Sequence, residues 1–513
     1  MLFSILEQAA ERYPDNTAIA FGERRYTYRD LRLQAERLAR SLIERGIGQG
    51  GRVGLYLYNC PEMVLCYFAC FKIGATVVPV NYRLKSDEVR HIVNHGRPNI
   101  LISQRQLFDE LAGIIDDLPS LQACYLVDDE GPHSDRTLAF DDLLGGTGSG
   151  SSDIDVPGDT HAVVIYTSGT TGMPKGVVLD HDQLLIHTAG HCELVGYQSQ
   201  DRTLVCLALS NNFAFSHQML AGLSVGATLE MLPRFDAHEV LERIKSRPVT
   251  MLYMMPVMYH ALIRLAEARR EPVANHLRLA IVAGDTTPLV VFEGFEQYFS
   301  LEMCEGIGMA ETQIYALNPL QGGKKIGSVG LPVPYTQVTV QNELGDPLPP
   351  GEVGEIAAAG DIVMRRYLDN PQATGDSYRR GWFLTGDLGA FDGDGYLWFR
   401  GRRKQLIVHE GSNISPQEVE EVFYHHHAVS EVGVVGIPDD IEGENVHAFV
   451  ALKPGMEAVG EQELLAFAKH HLADYKLPRS ITFIDSLPKG STGKIDRKRL
   501  RQQAISSKSR GSN

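Results

Sequence analysis

Segments with helical spacing alternate with short apolar runs along the first part of the chain, and that rhythm limits the fold more than any other feature. AERLARSLIERGI (residues 35–47) spaces its apolar residues as a helix does. RVGLYLYN (52–59) has the length of a strand, and GATVVPV (74–80) is a second strand after another helix. Such alternation is satisfied by a parallel sheet covered with helices, so the expected class is α/β in parallel layers. At 513 residues the chain exceeds what one core can organise, which predicts two or more domains.

The pattern then changes twice. Gly145 to Ser152 (GGTGSGSS) reads as a flexible link into a new apolar strand, AVVIYTSG. From Gly327 to Phe399 short β-like segments (TQVTVQNE, GEIAAAG, YLWFRG) sit between dense Gly/Pro turns, which predicts a mostly β lobe. Beyond Arg402 come a helix over Pro416 to His426, strands VSEVGVVGI and HAFVALK, and a helix over Glu461 to Leu472. The expectation is a large N-terminal domain over residues 1–400, made of parallel α/β subdomains plus a β lobe. A small α+β C-terminal domain over 401–513 follows. The tail SSKSRGSN lacks apolar residues and is expected to be disordered.

Composition removes several function classes. Lys+Arg of 48 against Asp+Glu of 64 leaves a formal net charge of -16, which repels phosphate backbones and anionic lipid and excludes nucleic acid as a main partner. The seven cysteines form no CxxC pair and read as reduced thiols of a cytoplasmic protein; Cys66 and Cys70, one helical turn apart, read as core thiols. The N-terminus carries Glu7 and Glu11 in an amphipathic pattern, unlike a signal peptide. The most apolar stretch, Met63 to Phe71, falls far short of the ~20 residues a spanning helix needs, so no membrane span is expected.

The densest chemical signal is YTSGTTGMPKGV, Tyr166 to Val177. Small hydroxyl residues and glycines (Thr167, Ser168, Gly169, Thr170, Thr171, Gly172) let backbone N–H groups converge on anionic oxygens, and Lys175 adds a mobile positive charge. The string is a phosphate cradle. It is not a Walker A loop, because Met173 and Pro174 separate Gly172 from Lys175.

This string resembles the signature of the adenylate-forming superfamily of acyl-CoA synthetases, adenylation domains and beetle luciferases. The resemblance continues in family order at Ile307 to Thr312 (IGMAET), Phe383 to Asp387 (FLTGD), Gly401 to Lys404 (GRRK) and Ser491 to Ile495 (STGKI). It implies an ATP-dependent ligase that activates a small-molecule carboxylic acid as an acyl-adenylate and passes the acyl group to CoA. Glu311 would hold Mg²⁺ through a hard carboxylate oxygen. Asp387 would accept hydrogen bonds from both ribose hydroxyls, with Arg402 on the other side. Gly284, Asp285, Gly306, Ile307 and Gly308 would line the nucleotide site. Lys494, on a mobile C-terminal domain, would bridge the acid carboxylate and the α-phosphate. Lys404 would be the hinge, and Gly411 would admit the pantetheine arm of CoA where a side chain would block it. Taken singly, these charges would be ordinary surface residues; the shared motifs give them roles.

Departures from the family pattern concern the ligands. Ile307 stands where the family usually has Tyr, and Ala310 where it has Thr or Ser, which removes an aromatic face from adenine. The stretch Ser210 to Met219 (SNNFAFSHQM) lacks the Phe-Asp of amino-acid-activating domains, and an α-amino acid needs that carboxylate to offset its ammonium. Phe213, Phe215, Ser216, His217, Met254, Met255 and Met309 suggest an apolar pocket with a few polar anchors, suited to an aryl or medium-length acyl acid. His425 to His427 reads as a helix end on the surface. The alternative is a stand-alone enzyme that loads a carrier protein. GSNISPQEVE is closer to the acyl-CoA ligases. A non-catalytic sensor would have lost Lys494, Lys175 or Glu311, and all three are present.

Overall fold

The computed structural model describes residues 1–111, 113–127, 136–145, 154–167, 174–409, 412–439, 442–490 and 493–510, with side chains described through residue 506. Two large sheets carry the N-terminal region. The first runs, edge to edge, Arg366–Tyr367, Lys175–Asp180, His161–Thr167, Thr76–Val80, Arg52–Tyr56, Ile100–Gln104, Ala123–Val127, Thr137–Ala139. Its strands pair in parallel from His161–Thr167 onward, and the first two pair antiparallel. The second sheet has nine strands, and its parallel centre joins Thr17–Phe21 to Thr228–Met231, some two hundred residues away along the chain. The α/β class expected from the sequence is the class observed.

Burial explains the layering. Every residue of strand Thr76–Val80 is buried, as a parallel strand covered on both faces must be. Helix Pro61–Ile73 is buried all round and has no polar face, so it can only sit inside a core. Pro61 occupies its first turn, and Gly74 closes it with φ +68°. Tyr67 Oη donates to Leu209 O at 2.9 Å, and Asn59 Nδ2 donates to Leu207 O and Leu232 O, which ties this helix to the nine-stranded sheet. One apolar cluster therefore spans both sheets. Cys66 and Cys70 lie inside it with their thiol pKa values pushed up by burial.

The β lobe is a separate antiparallel sheet of Gln337–Gln341, Gly354–Ala359, Trp382–Phe391, Tyr378–Arg379 and Leu397–Arg402. Its last strand runs on to Arg402. A single 3₁₀ turn, Arg403–Gln405, separates it from Ile407–His409, the first strand of the C-terminal sheet. That sheet is built on the long hairpin Val429–Asp439 with Gly443–Leu452, flanked by helices Pro416–Tyr424, Glu461–Lys469 and Arg497–Arg510.

Two expectations are corrected. The helix expected over Pro416 to His426 ends at Tyr424. The tail expected to be disordered is helical through Arg510, because Leu500 and Ala504 anchor that helix on the C-terminal sheet while Arg, Lys and Gln on its outer face are good helix formers. The Gly145 to Ser152 link falls almost entirely outside the described residues. Among the described residues, no helix is long and apolar enough to cross a membrane.

Candidate active site

The two ends of the Tyr166 to Val177 string lie on paired strands. Strand His161–Thr167 leaves the sheet at Thr167 and strand Lys175–Asp180 re-enters it, with Thr167 opposite Lys175. Ser168, Gly169, Thr170, Thr171 and Gly172 lie outside the described residues. Lys175 Nζ stands 4.2 Å from the centre of the Tyr367 ring, a cation–π contact. Tyr367 in turn donates from Oη to Glu311 Oε1 at 2.9 Å. The other oxygen, Glu311 Oε2, is buried and has no hydrogen-bond partner among the described residues. Burial raises the Glu311 pKa, opposed by the Tyr367 hydrogen bond and by Lys175. A hard, buried carboxylate oxygen without a partner among the described residues, on a side chain that feels the Lys175 charge, is a fitting donor for Mg²⁺.

The pair expected at the ribose is built by strand pairing. Asp387, on Trp382–Phe391, lies opposite Arg402 on Leu397–Arg402, and Arg402 Nε donates to Asp387 Oδ1 at 3.1 Å. Burial raises the Asp387 pKa, while Arg402 and Lys494 pull it down.

Lys494 arrives from the C-terminal domain on a tight turn. Gly493 N donates to Gly490 O at 2.9 Å, Gly490 N donates to Lys494 O at 2.8 Å, and Gly493 has φ +86°. A Cβ at Gly493 would meet Arg83 Nη1 and Met255 Sδ of the large domain, so the turn sits directly on that surface. The half-buried Lys494 ammonium has a lowered pKa, from burial first and then from Arg402, with Asp285, Asp387 and Glu311 opposing. Three carboxylates and one guanidinium thus act electrostatically on the Lys494 ammonium.

This placement is held by contacts across the domain junction. Arg264 Nη1 donates to Ser430 Oγ at 2.7 Å, and Leu289 N donates to Glu421 Oε1 at 3.1 Å. A cleft beside them is lined by Met255, Asp285, Tyr424, Lys489 and Ile495 from the two domains.

On the nucleotide side, Gly284 has φ +96° and Met255 packs against it, while Asp285 Oδ1 accepts from Thr286 N at 3.0 Å. Gly308 is needed by the backbone itself: a Cβ there would fall 2.3 Å from Gln313 O of the neighbouring strand. Gly306 faces Leu317 and the Ala316 carbonyl in the same hairpin. Half-buried Ile307 packs against the Tyr315 and Val329 cluster.

The acid-binding candidates separate. Phe213 and His217 are one helical turn apart with ring centres at 5.4 Å, and Phe213 also meets Tyr253 edge-on at 5.6 Å. Phe215, two residues along and so about 200° round the helix, stacks on Tyr67 at 4.8 Å inside the core. Its expected role as a substrate contact is corrected to packing. Met254 is likewise fully buried, while half-buried Met309 packs at the edge of the same cluster. Lys404 is exposed on the 3₁₀ turn between the β lobe and the C-terminal sheet. Gly411 lies outside the described residues.

The match to family models is decisive at this point. The AMP-binding enzyme model matches residues 6–368, and the AMP-binding enzyme C-terminal domain model matches 418–494. The chain belongs to the AMP-binding enzyme family. It is 34% identical over 499 residues to a 2-succinylbenzoate–CoA ligase of Bacillus licheniformis, with 96% of this chain and 98% of that protein covered. An anthranilate–CoA ligase in complex with anthranoyl-AMP superposes with TM-score 0.92 at 28% identity, covering 99% and 98% of the two chains. An O-succinylbenzoate–CoA synthetase of Bacillus subtilis, in complex with ATP and magnesium ion, superposes with TM-score 0.83 at 28% identity, covering 97% and 98%. This AMP-binding enzyme is an AMP-forming acid–thiol ligase of the acyl-CoA synthetase superfamily. The carrier-protein alternative finds no support among these relatives.

Sequence reasoning did not find Tyr367, which links Lys175 to Glu311, nor Gln313, His187 and His191. The pair His187 and His191 had a readable signal, an i, i+4 spacing on one helix. Tyr367 had none.

Proposed function

We propose that the protein joins an aryl or medium-length acyl acid to CoA using MgATP. In the first half-reaction a carboxylate oxygen attacks the α-phosphorus, the bond to the bridging oxygen of the β-phosphate breaks, and pyrophosphate leaves. In the second, the CoA thiolate attacks the acyl carbon, a C–S bond forms, and AMP leaves with the electron pair. The convergence of Lys494 with Asp285, Glu311, Asp387 and Arg402 carries this reading, because an ammonium held there can neutralise oxygens of both reactants as charge develops between them.

The roles then divide by position. Glu311 Oε2 would hold Mg²⁺, which would supply charge neutralisation at the phosphates, and Tyr367 fixes that carboxylate. Lys175 and the Thr167 to Gly172 string hold phosphate oxygens. Asp387 exchanges its Arg402 contact for the ribose hydroxyls. Gly284, Asp285, Gly306, Ile307 and Gly308 border the base and sugar, and Phe213, His217 and Met309 border the acid. After adenylation the C-terminal domain turns about Lys404, withdraws Lys494 and brings Gly411 to the pantetheine path.

The test is pyrophosphate release with and without CoA across aryl, short, medium and long-chain acids and amino acids. Release with aryl or medium-length acids, with acyl-CoA as the end product, is expected. A preference for an α-amino acid, or acyl-AMP that persists under saturating CoA, would overturn the reading.

A further inference from the structure

Behind Phe213 three histidines meet in a fully buried group. His187 and His191 come from helix His181–Val195, and His217 from the π-helical segment Phe215–Leu220. Their ligating atoms all lie within 4.8 Å of one another. A π-helical turn is uncommon and is often found where a side chain must be aimed at a ligand.

Counting protons shows what this group lacks. Ser216 Oγ lies 2.8 Å from Asn212 O and 3.0 Å from Gln313 Oε1, both acceptors, and a hydroxyl has one proton. It has none left for His217, so His217 Nδ1 donates to Ser216 Oγ at 2.8 Å. Burial pushes the His217 pKa down to about 3, so the ring is neutral and its Nε2 carries a lone pair. That lone pair accepts from His187 Nε2 at 3.1 Å. A neutral His187 protonated on Nε2 has its one acceptor lone pair on Nδ1, and this atom is buried without a partner among the described residues. His191 Nε2 pairs with Tyr253 Oη at 3.1 Å, and its Nδ1 also has no partner among the described residues. Buried polar atoms are almost always hydrogen-bonded, so unpaired ones call for a ligand group.

The path from the reacting end leads here. Gln313, two residues beyond Glu311, reaches Ser216; Ser216 reaches His217, and His217 reaches His187. An acid lying along Phe213 would have this group at one end, since the Phe213 and His217 ring centres are 5.4 Å apart. A divalent metal is a poorer occupant, because rings that turn their Nε2 lone pairs to a metal carry the proton on Nδ1, and His187 Nδ1 and His191 Nδ1 have no acceptor among the described residues to take it.

We infer that His187, His191 and His217 form the polar floor of the acid pocket, and that the acid is an aryl acid with a neutral hydrogen-bond donor, a phenolic hydroxyl, at the end far from its carboxylate. The inference rests on the reading of Phe213 and His217 as the acid-binding wall. A hydroxyl there donates to the His187 Nδ1 lone pair, whereas an unsubstituted ring leaves that lone pair buried and unpaired.

The test measures kcat/KM for pyrophosphate release with 4-hydroxycinnamate against cinnamate, and 4-hydroxybenzoate against benzoate. The proteins are wild type, His187→Leu and His187→Asn, with metal content determined on the purified wild type. Wild type should favour the hydroxylated acids by about 10- to 100-fold. The preference should collapse in His187→Leu and partly survive in His187→Asn, whose amide can supply an acceptor near the Nδ1 position. Equal turnover of both acids by wild type, or an undiminished preference in His187→Leu, overturns the inference and leaves the ligase reading intact. One equivalent of a tightly held transition metal, whose removal abolishes the preference, overturns it in favour of a metal site. Failure to release pyrophosphate with any acid strikes the ligase reading instead. If His187→Leu does not fold, the wild-type ratio together with that of His187→Asn decides: an Asn ratio unchanged from wild type with no loss in kcat/KM overturns the inference.

Discussion

The proposed nucleotide end and the proposed acid end of this site are built from opposite materials. At the nucleotide end Lys175, Glu311, Asp387, Arg402 and Lys494 bring formal charges together from the phosphate hairpin, the second sheet, the β lobe and the C-terminal domain. At the acid end stand neutral imidazoles and tyrosines, packed as closely as a core. A buried charge without a partner is costly, so a cluster of charges announces an ionic ligand. A buried imidazole is tolerated in any core. The difference explains why one end can be assigned from residue types while the other is found only by counting hydrogen bonds.

The comparison breaks most sharply at Lys494. Lys494→Ala should lower acyl-adenylate formation by ~10²–10³ or more while leaving thioester formation from supplied acyl-AMP largely intact. Rapid-quench measurement of the two half-reactions separates these outcomes, and an equal loss in both would remove Lys494 from the phosphoryl step. The next effect down tests the metal. Glu311→Gln should cut pyrophosphate release by about 100-fold, and Tyr367→Phe, which only frees the carboxylate, by about 10-fold. Both should raise the Mg²⁺ concentration for half-maximal rate; an unchanged Mg²⁺ titration would place the ion elsewhere.

Legibility follows the same division. The parallel α/β layers could be read because strands such as Thr76–Val80 are short, mostly apolar runs between helical segments. The β lobe could be read from its turn residues. The pairing of Thr17–Phe21 with Thr228–Met231 could not, since nothing local specifies a partner so far along the chain. Within the site, the motif strings name the charged residues because charges and glycines are unusual in buried strands. Phe215 looked like a pocket residue because its string is aromatic, yet helical geometry turns it toward Tyr67. Tyr367 sits on a two-residue edge strand whose neighbours resemble any loop.

A pH prediction sharpens the contrast by using a charge the nucleotide end does not employ. Glu305 is buried at the start of the strand that carries Ile307, and burial pushes its pKa from 4.5 to about 8, with Thr287 opposing part of the shift. The folded state therefore holds a proton that the unfolded state releases above pH 4.5. Stability should fall as pH rises from about 5 to about 8. Glu305→Gln, a near-isostere of the protonated acid, should match wild type at about pH 5 and melt higher at about pH 8. A thermal denaturation series checks this. Parallel pH profiles for the two proteins would show that Glu305 does not titrate in this range.

The smallest effect tests the one place where the nucleotide end is itself apolar. Ile307 lies on strand Cys304–Met309 between two glycines, half-buried, with its inner face on the Tyr315 and Val329 cluster and no aromatic surface to offer a base. Ile307→Tyr adds a flat ring where the adenylate-forming pattern usually has one. The strand can accept it, because Ile307 is only half-buried and the added atoms can extend outward. Stacking contributes on the order of 1 kcal/mol, so the ATP Michaelis constant should fall by about 5-fold at most, with kcat nearly unchanged. Discrimination of ATP against pyrimidine triphosphates should rise with it, since the larger purine face gains more from the ring. An unchanged or higher constant would mean that another group already covers the adenine. The nucleotide end would then bind its base as the acid end packs its histidines, through side chains that resemble core until a ligand is present.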